Sequence, residues 1–354
     1  MKRIWVLLFG LLFSAPVWSE TADLNLIVVD EHILPGYRQL EKTTAELNEQ
    51  TKAFCAKPDK ASMEQLQSAF SQSLAAWQSI QHIRFGPVDF QLRMHRYQMW
   101  PDKRSKVAKH LRKRLAEKNS DSLQPQAFQQ TSIATQGFSA MERLLFGKTV
   151  AISDFIDVDS GTYRCKLLQA IGSNLAVMSV EIVKEWTQGE QPFRNVIATA
   201  AQGNGFFESE REVGGKILNN LYTQLQLIVD LKLDLPLGKS VKKAKGKRAE
   251  LWRSSSSIAN IRNNLIGLQQ LYQVGFAPRV KDAALKQQID AAFKSTLAAT
   301  DKIAEPLLTA VKNPDSRVAV EQLRAEASKL KGLFARELPK AVDLPLGFNS
   351  LDGD

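Results

Sequence analysis

Histidine and cysteine are scarce in this chain: four of the first and two of the second among 354 residues. Two thiols are too few for a zinc cluster. The four imidazoles, His32, His82, His95 and His110, are scattered through the first third without the helical pair spacing that holds a metal. His-Glu-x-x-His, Gly-x-Ser-x-Gly, the Walker loop and Gly-x-Gly-x-x-Gly are all missing, which removes the commonest hydrolase, nucleotide and dinucleotide signatures. No apolar run past the N-terminus approaches 18 residues, so no transmembrane segment is expected in the mature chain. There is also no convincing series of alternating apolar and polar residues, which argues against sheet.

What is present begins with an export signal. Met1-Lys2-Arg3 is followed by an apolar run from Ile4 to Phe13 and then by Ser14-Ala15-Pro16-Val17-Trp18-Ser19, the charged, apolar and small-residue order of a cleavable leader. Cleavage is expected after Ser19, giving a 1–19 signal peptide. The ten-residue apolar core is shorter than the roughly 20 residues a spanning helix needs, which disfavours a permanent anchor. Losing Lys2 and Arg3 lowers the formal charge from +10 to +8.

Basic residues cluster between Lys103 and Arg114 and again between Lys239 and Arg248. No aromatic interleaving or nucleic-acid motif accompanies them, so no nucleic acid is expected as a partner; a solvated helix face or an anionic ligand or surface fits better. Cys55 and Cys165 would meet an oxidising compartment, where a pair closes a disulfide. Two free buried thiols are the other reading.

Apolar spacing is helical almost throughout. Met63, Leu66, Phe70, Leu74, Trp77 and Ile80 form one stripe, with Ser62 expected as N-cap and Gln65 completing a capping box. Cys165, Leu168, Ile171, Leu175, Met178, Ile182 and Trp186 form another, which turns Cys165 towards a core. Further stripes run through Leu218 to Ile228 and Ile258 to Tyr272, and the serines from Ser254 to Ser257 read as the cap of the latter. The expected fold is all-α, two packed helical bundles. Asp-Leu-Pro-Leu-Gly occurs at 234–238 and again at 343–347, which fits an internal duplication. The basic passage after Gly238 marks the boundary between an N-terminal bundle, 20–238, and a C-terminal bundle, 239–354.

The segment Gln136-Gly137-Phe138-Ser139-Ala140-Met141-Glu142-Arg143-Leu144-Leu145-Phe146-Gly147 stands out. It resembles the hallmark of the imelysin-like family, named for an insulin-cleaving membrane protease, in which Gly-x-His-x-x-Glu leads into an apolar ending. Arg84-Phe85-Gly86-Pro87-Val88, Met99-Trp100-Pro101-Asp102, Arg164-Cys165 through Glu185-Trp186, and Leu251-Trp252-Arg253-Ser254 through Asn264-Leu265 are similar to further family features. The resemblance implies two helical bundles, residence in the envelope, here the periplasm, and frequent association with iron acquisition.

This chain carries Ser139 where the family pattern has histidine. Positions i and i+3 share a helix face, so Ser139 and Glu142 still point together, but a neutral hydroxyl is a weak ligand for iron or zinc. Glu142 is the remaining metal candidate, and iron or another divalent metal the cofactor the resemblance implies. His82, His95, Asp102 and Glu212 could add ligands if the fold gathered them, and Ser139→His would then restore a nitrogen donor. Otherwise Glu142 organises the bundle, paired with an arginine such as Arg84 or Arg96. The expectation is a ligand- or partner-binding protein, leaning away from an enzyme, with Gly137, Ser139, Glu142 and Asp102 at the site and a small ligand or an envelope protein as partner. A metallopeptidase of the imelysin type and an envelope scaffold without a small-molecule site are the rivals.

Overall fold

The computed structural model describes residues 20–158 and 160–347. The expected leader, 1–19, lies outside them. Among the described residues the secondary structure is helical with no strand, as the stripes require.

The chain opens with α1 (Glu20–Val28), passes through a π-helical turn (Val29–Ile33) and continues as α2 (Leu34–Ala56). α3 (Lys60–Ile80) returns along it. Its cap is Asp59, not Ser62: the Ser62 backbone N–H donates to Asp59 Oδ1 at 2.8 Å and the Asp59 N–H donates to Ser62 Oγ at 3.1 Å. The box was misplaced because Asp caps as well as Ser, and starting one turn earlier lets both residues satisfy each other. After short helical turns, among them Arg93–Tyr97, come α4 (Lys106–Glu117), α5 (Gly137–Leu145) and the long α6 (Ser160–Thr187).

By length and composition α6 is long and apolar enough to cross a membrane. Its stripe from Cys165 to Trp186 is instead buried against α2 and α5, which is how a core helix reads. The Cys55–Cys165 disulfide ties α2 to α6, with the Cα atoms 5.5 Å apart.

The second half begins with α7 (Glu210–Gln226), which runs through another π-helical turn (Leu227–Leu233) into α8 (Asp234–Leu237). α9 (Ser257–Gly275), α10 (Ala283–Asp301) and α11 (Pro314–Arg336) follow. α10 packs on α11, whereas α9 crosses α3 and so joins the halves. That crossing is close: a Cβ on Gly267 would lie 2.0 Å from the Ser79 carbonyl oxygen.

The two Asp-Leu-Pro-Leu-Gly copies fold differently, the first as α8 and the second as a turn and irregular chain. Their aspartates nonetheless do parallel jobs. Asp234 pairs with Arg324 of α11 at 2.7 Å, and Asp343 pairs with Arg211 of α7 at 2.9 Å.

Candidate functional site

The site grows from the first turn of α5. Gly137 sits at φ +67°, and a Cβ there would lie 2.2 Å from the carbonyl oxygens of both Arg96 and Tyr97. Only glycine lets the helix start against that backbone. Gly137 therefore serves through its backbone and does not line the cleft formed beyond it.

Ser139 and Glu142 do share a face, and both reach that cleft. Ser139 Oγ donates to the Met99 carbonyl at 3.0 Å. Glu142, 2% exposed, accepts at Oε1 from the Arg253 N–H at 2.9 Å and the Ser254 N–H at 3.0 Å, and Ser254 Oγ lies 3.1 Å from the same oxygen, its proton shared with the Leu251 carbonyl at 3.0 Å. Its other oxygen lies 3.9 Å from the Arg253 guanidinium. Burial pushes the carboxyl up, and the bonds from Ser254 and the charge of Arg253 work against that.

The cationic partner of Glu142 is thus Arg253, not Arg84 or Arg96. Arg96 donates instead to Gln136 Oε1 at 3.0 Å and Asn174 Oδ1 at 2.8 Å. The serine run also departs from expectation. α9 begins at Ser257 with no side-chain cap from Ser256. Ser254 is occupied by Glu142, and Ser257 Oγ donates to the Glu250 carbonyl at 2.5 Å. A carboxylate from another helix has taken over the turn that precedes α9.

These contacts decide whether the motif suits a metal. Oε1 of Glu142 is saturated, and Asp102 spends Oδ1 on the Lys106 N–H at 2.7 Å and Oδ2 on the Val107 N–H at 3.0 Å, capping α4. Elsewhere Glu212 accepts from the Glu208 N–H at 2.7 Å, and His82 Nε2 meets His32 Nε2 at 2.8 Å. Among the described residues no three His, Cys, Asp or Glu side chains converge to hold an ion. The residues present do not fit the iron or zinc that the motif implies.

The cleft has a volume of about 440 Å³. One wall is Met99 to Lys103, the other Lys247 to Ala249 with Leu251 to Arg253, and α5 supplies the floor through Ser139, Glu142 and Arg143. Lys103, at the start of one basic run, and Lys247 and Arg248, at the end of the other, therefore meet at one opening. The Arg253 guanidinium stacks on Trp252, 4.0 Å from the ring centroid, and Lys247 approaches the same ring at 5.9 Å. Burial lowers the pKa of the Arg143 and Arg253 guanidinium groups, and in Arg253 the charge of Arg143 lowers it further.

Behind the cleft lies a polar network that the sequence did not single out. Lys232, on the second π-helical turn, donates to Glu250 Oε2 at 2.8 Å, Gln78 Oε1 at 2.8 Å and Asn264 Oδ1 at 2.6 Å. Its three ammonium protons are all used. Glu250 also accepts from Asn260 at 3.0 Å and from Gln98 at 2.8 Å. Gln98 precedes Met99 on one wall and Glu250 precedes Leu251 on the other, so this bond ties the roots of both walls. A π-helical turn is the one departure from regular periodicity that could have marked Lys232, and such turns cluster at functional sites.

Comparison with known proteins agrees with this architecture. The family model described as Imelysin matches residues 33–332. An iron-regulated protein A of Synechococcus elongatus is 22% identical over 344 residues, covering 92% of this chain and 89% of that protein. Among solved structures, an imelysin-like protein of Psychrobacter arcticum superposes with a TM-score of 0.75 at 19% identity, covering 93% of this chain and 98% of the other. A putative iron-regulated protein A precursor of Parabacteroides distasonis gives a TM-score of 0.75 at 12% identity, covering 91% and 95%.

Proposed function

Because this chain belongs to the imelysin family, we propose that it is an envelope binding protein linked to iron acquisition, which takes a small ligand in the cleft above α5. The observation that carries the proposal is the state of Glu142. Its carboxylate holds the 252–256 turn through two backbone N–H donors to Oε1 with the Ser254 hydroxyl beside them, and so shapes the far wall of the cleft instead of coordinating a metal or activating water. Metal-assisted hydrolysis needs an ion held with an open position and a base near its water. Ser139 and Glu142 provide neither.

The leader-like N-terminus supports export to the periplasm, and so does the word precursor in the name of the Parabacteroides protein. The iron link rests on the names of two relatives. Peptide-cleavage assays on the purified mature chain, with and without added zinc or iron, test the reading. It expects no turnover above buffer. Metal-dependent cleavage abolished by Glu142→Gln would restore the peptidase account.

A further inference from the structure

We propose that the cleft selects a small multivalent oxyanion, a molecule carrying two or more carboxylate or phosphate groups. The inference rests on the binding reading above and deepens it by naming the ligand's chemistry.

The cleft carries an excess of positive charge. Five cations line the cleft, Lys103, Arg143, Lys247, Arg248 and Arg253, against two acids, Asp102 and Glu142. Both acids have hydrogen-bond partners of their own, and the charge of each also acts on Arg143 and Arg253, so two carboxylates offset five cations only in part. Asp102 gives both oxygens to backbone N–H groups of α4, and Glu142 gives Oε1 to the turn before α9. Among the described residues none of Lys103, Arg143, Lys247 or Arg248 has an acidic partner within 4.0 Å, and Arg253 approaches Glu142 only at 3.9 Å.

Arg143 and Arg253 make this more than a solvated basic surface. Both are half-buried, so they have given up part of their hydration, and the carboxylates of Glu142 and Asp102 offset that loss only through longer-range attraction, the nearest pair being Arg253 and Glu142 at 3.9 Å. Partly desolvated like charges facing one space are costly alone and favourable once an anion lies between them. A guanidinium fork matches the two oxygens of a carboxylate or phosphate, and two forks suit a ligand with more than one such group. The volume of about 440 Å³ fits a small molecule and not a polymer. Lys247 and Arg248, exposed at the rim, add a field that draws anions in.

The test is calorimetric titration of the mature chain with citrate and with pyrophosphate at low ionic strength. One-to-one binding of at least one probe is expected, weakened tenfold or more by Arg143→Gln and several-fold by Arg248→Gln, and unchanged by Lys216→Gln on α7. Arg248 is exposed, so its variant keeps the test meaningful if Arg143→Gln fails to fold. Affinity that ignores both arginine substitutions overturns the inference.

Native mass spectrometry after incubation with the small-molecule fraction of a periplasmic extract separates this inference from the reading beneath it. Retention of a multivalent anion supports both. Retention of a neutral or cationic species, with neither probe bound, overturns the oxyanion and leaves the binding reading standing. No retained species and no probe binding overturns both.

Discussion

Glu142 Oε1 lies 2.9 Å from the backbone nitrogen of Arg253, so a carboxylate on α5 closes the turn that carries the opposite wall of the cleft. The two residues are 111 positions apart. The first consequence concerns stability. Glu142→Ala strands the N–H groups of Arg253 and Ser254, at about 2 to 4 kcal/mol, while the Ser254 hydroxyl keeps the Leu251 carbonyl as acceptor; Glu142→Gln keeps a carbonyl acceptor and should lose about 1 kcal/mol. Urea unfolding of both variants checks this, and equal losses would mean that the carboxylate charge, not the acceptor, holds the turn.

The buried network makes a second prediction. Lys232 and Glu250 are 3% and 2% exposed in their side chains and stand 2.8 Å apart. Lys232→Met alone leaves Glu250 charged and unpaired, and Glu250→Gln alone does the same to Lys232, each costing about 3 to 5 kcal/mol. The double variant should recover much of that loss. Additive losses in a double-mutant cycle would contradict direct pairing.

The His32–His82 contact sets a pH dependence. Burial holds His32 down to about 4 and His82 well below its usual value, with the charges of His32 and Arg84 adding to the effect on His82. The unfolded chain takes up protons near pH 6.5 that the folded chain refuses, so stability is full above that pH and falls as pH drops towards 4. The slope should approach two protons, about 2.7 kcal/mol per pH unit near pH 5. His82→Phe should roughly halve it, and an unchanged slope would show that other groups dominate.

The disulfide gives a fourth. Cys55 and Cys165 are 110 residues apart in sequence, so opening the bond should cost about 4 to 5 kcal/mol in the chain-entropy model. The double Ser variant, followed by thermal unfolding, measures it. Both thiols should resist alkylation until reduction.

Legibility in the sequence followed the range of the interaction. The stripes Met63 to Ile80 and Cys165 to Trp186 were readable because helical burial repeats within one segment, and every one of those residues except the cap is buried. The shared face of Ser139 and Glu142 was readable for the same reason. The partner of Glu142 was not, because backbone N–H groups of Arg253 and Ser254 leave no residue-type signature and come from the other half of the chain. Lys232 was hidden more thoroughly: a lysine within a helical stretch looks exposed, and only the inserted π-helical turn carries it inward. The meeting of Lys103 with Lys247 and Arg248 at one cleft is a contact between distant segments, which no local pattern encodes.

The central claim is that the Gly-x-Ser-x-x-Glu segment builds a ligand cleft and not a metal centre. Calorimetric titration of zinc and ferrous iron into the wild type, Ser139→His and Ser139→His/Glu142→Gln tests it most directly. The account predicts no stoichiometric site in any of the three, because Glu142 Oε1 is already filled and no further ligands converge. A tight one-to-one site in the wild type or in Ser139→His, abolished by Glu142→Gln, would contradict it.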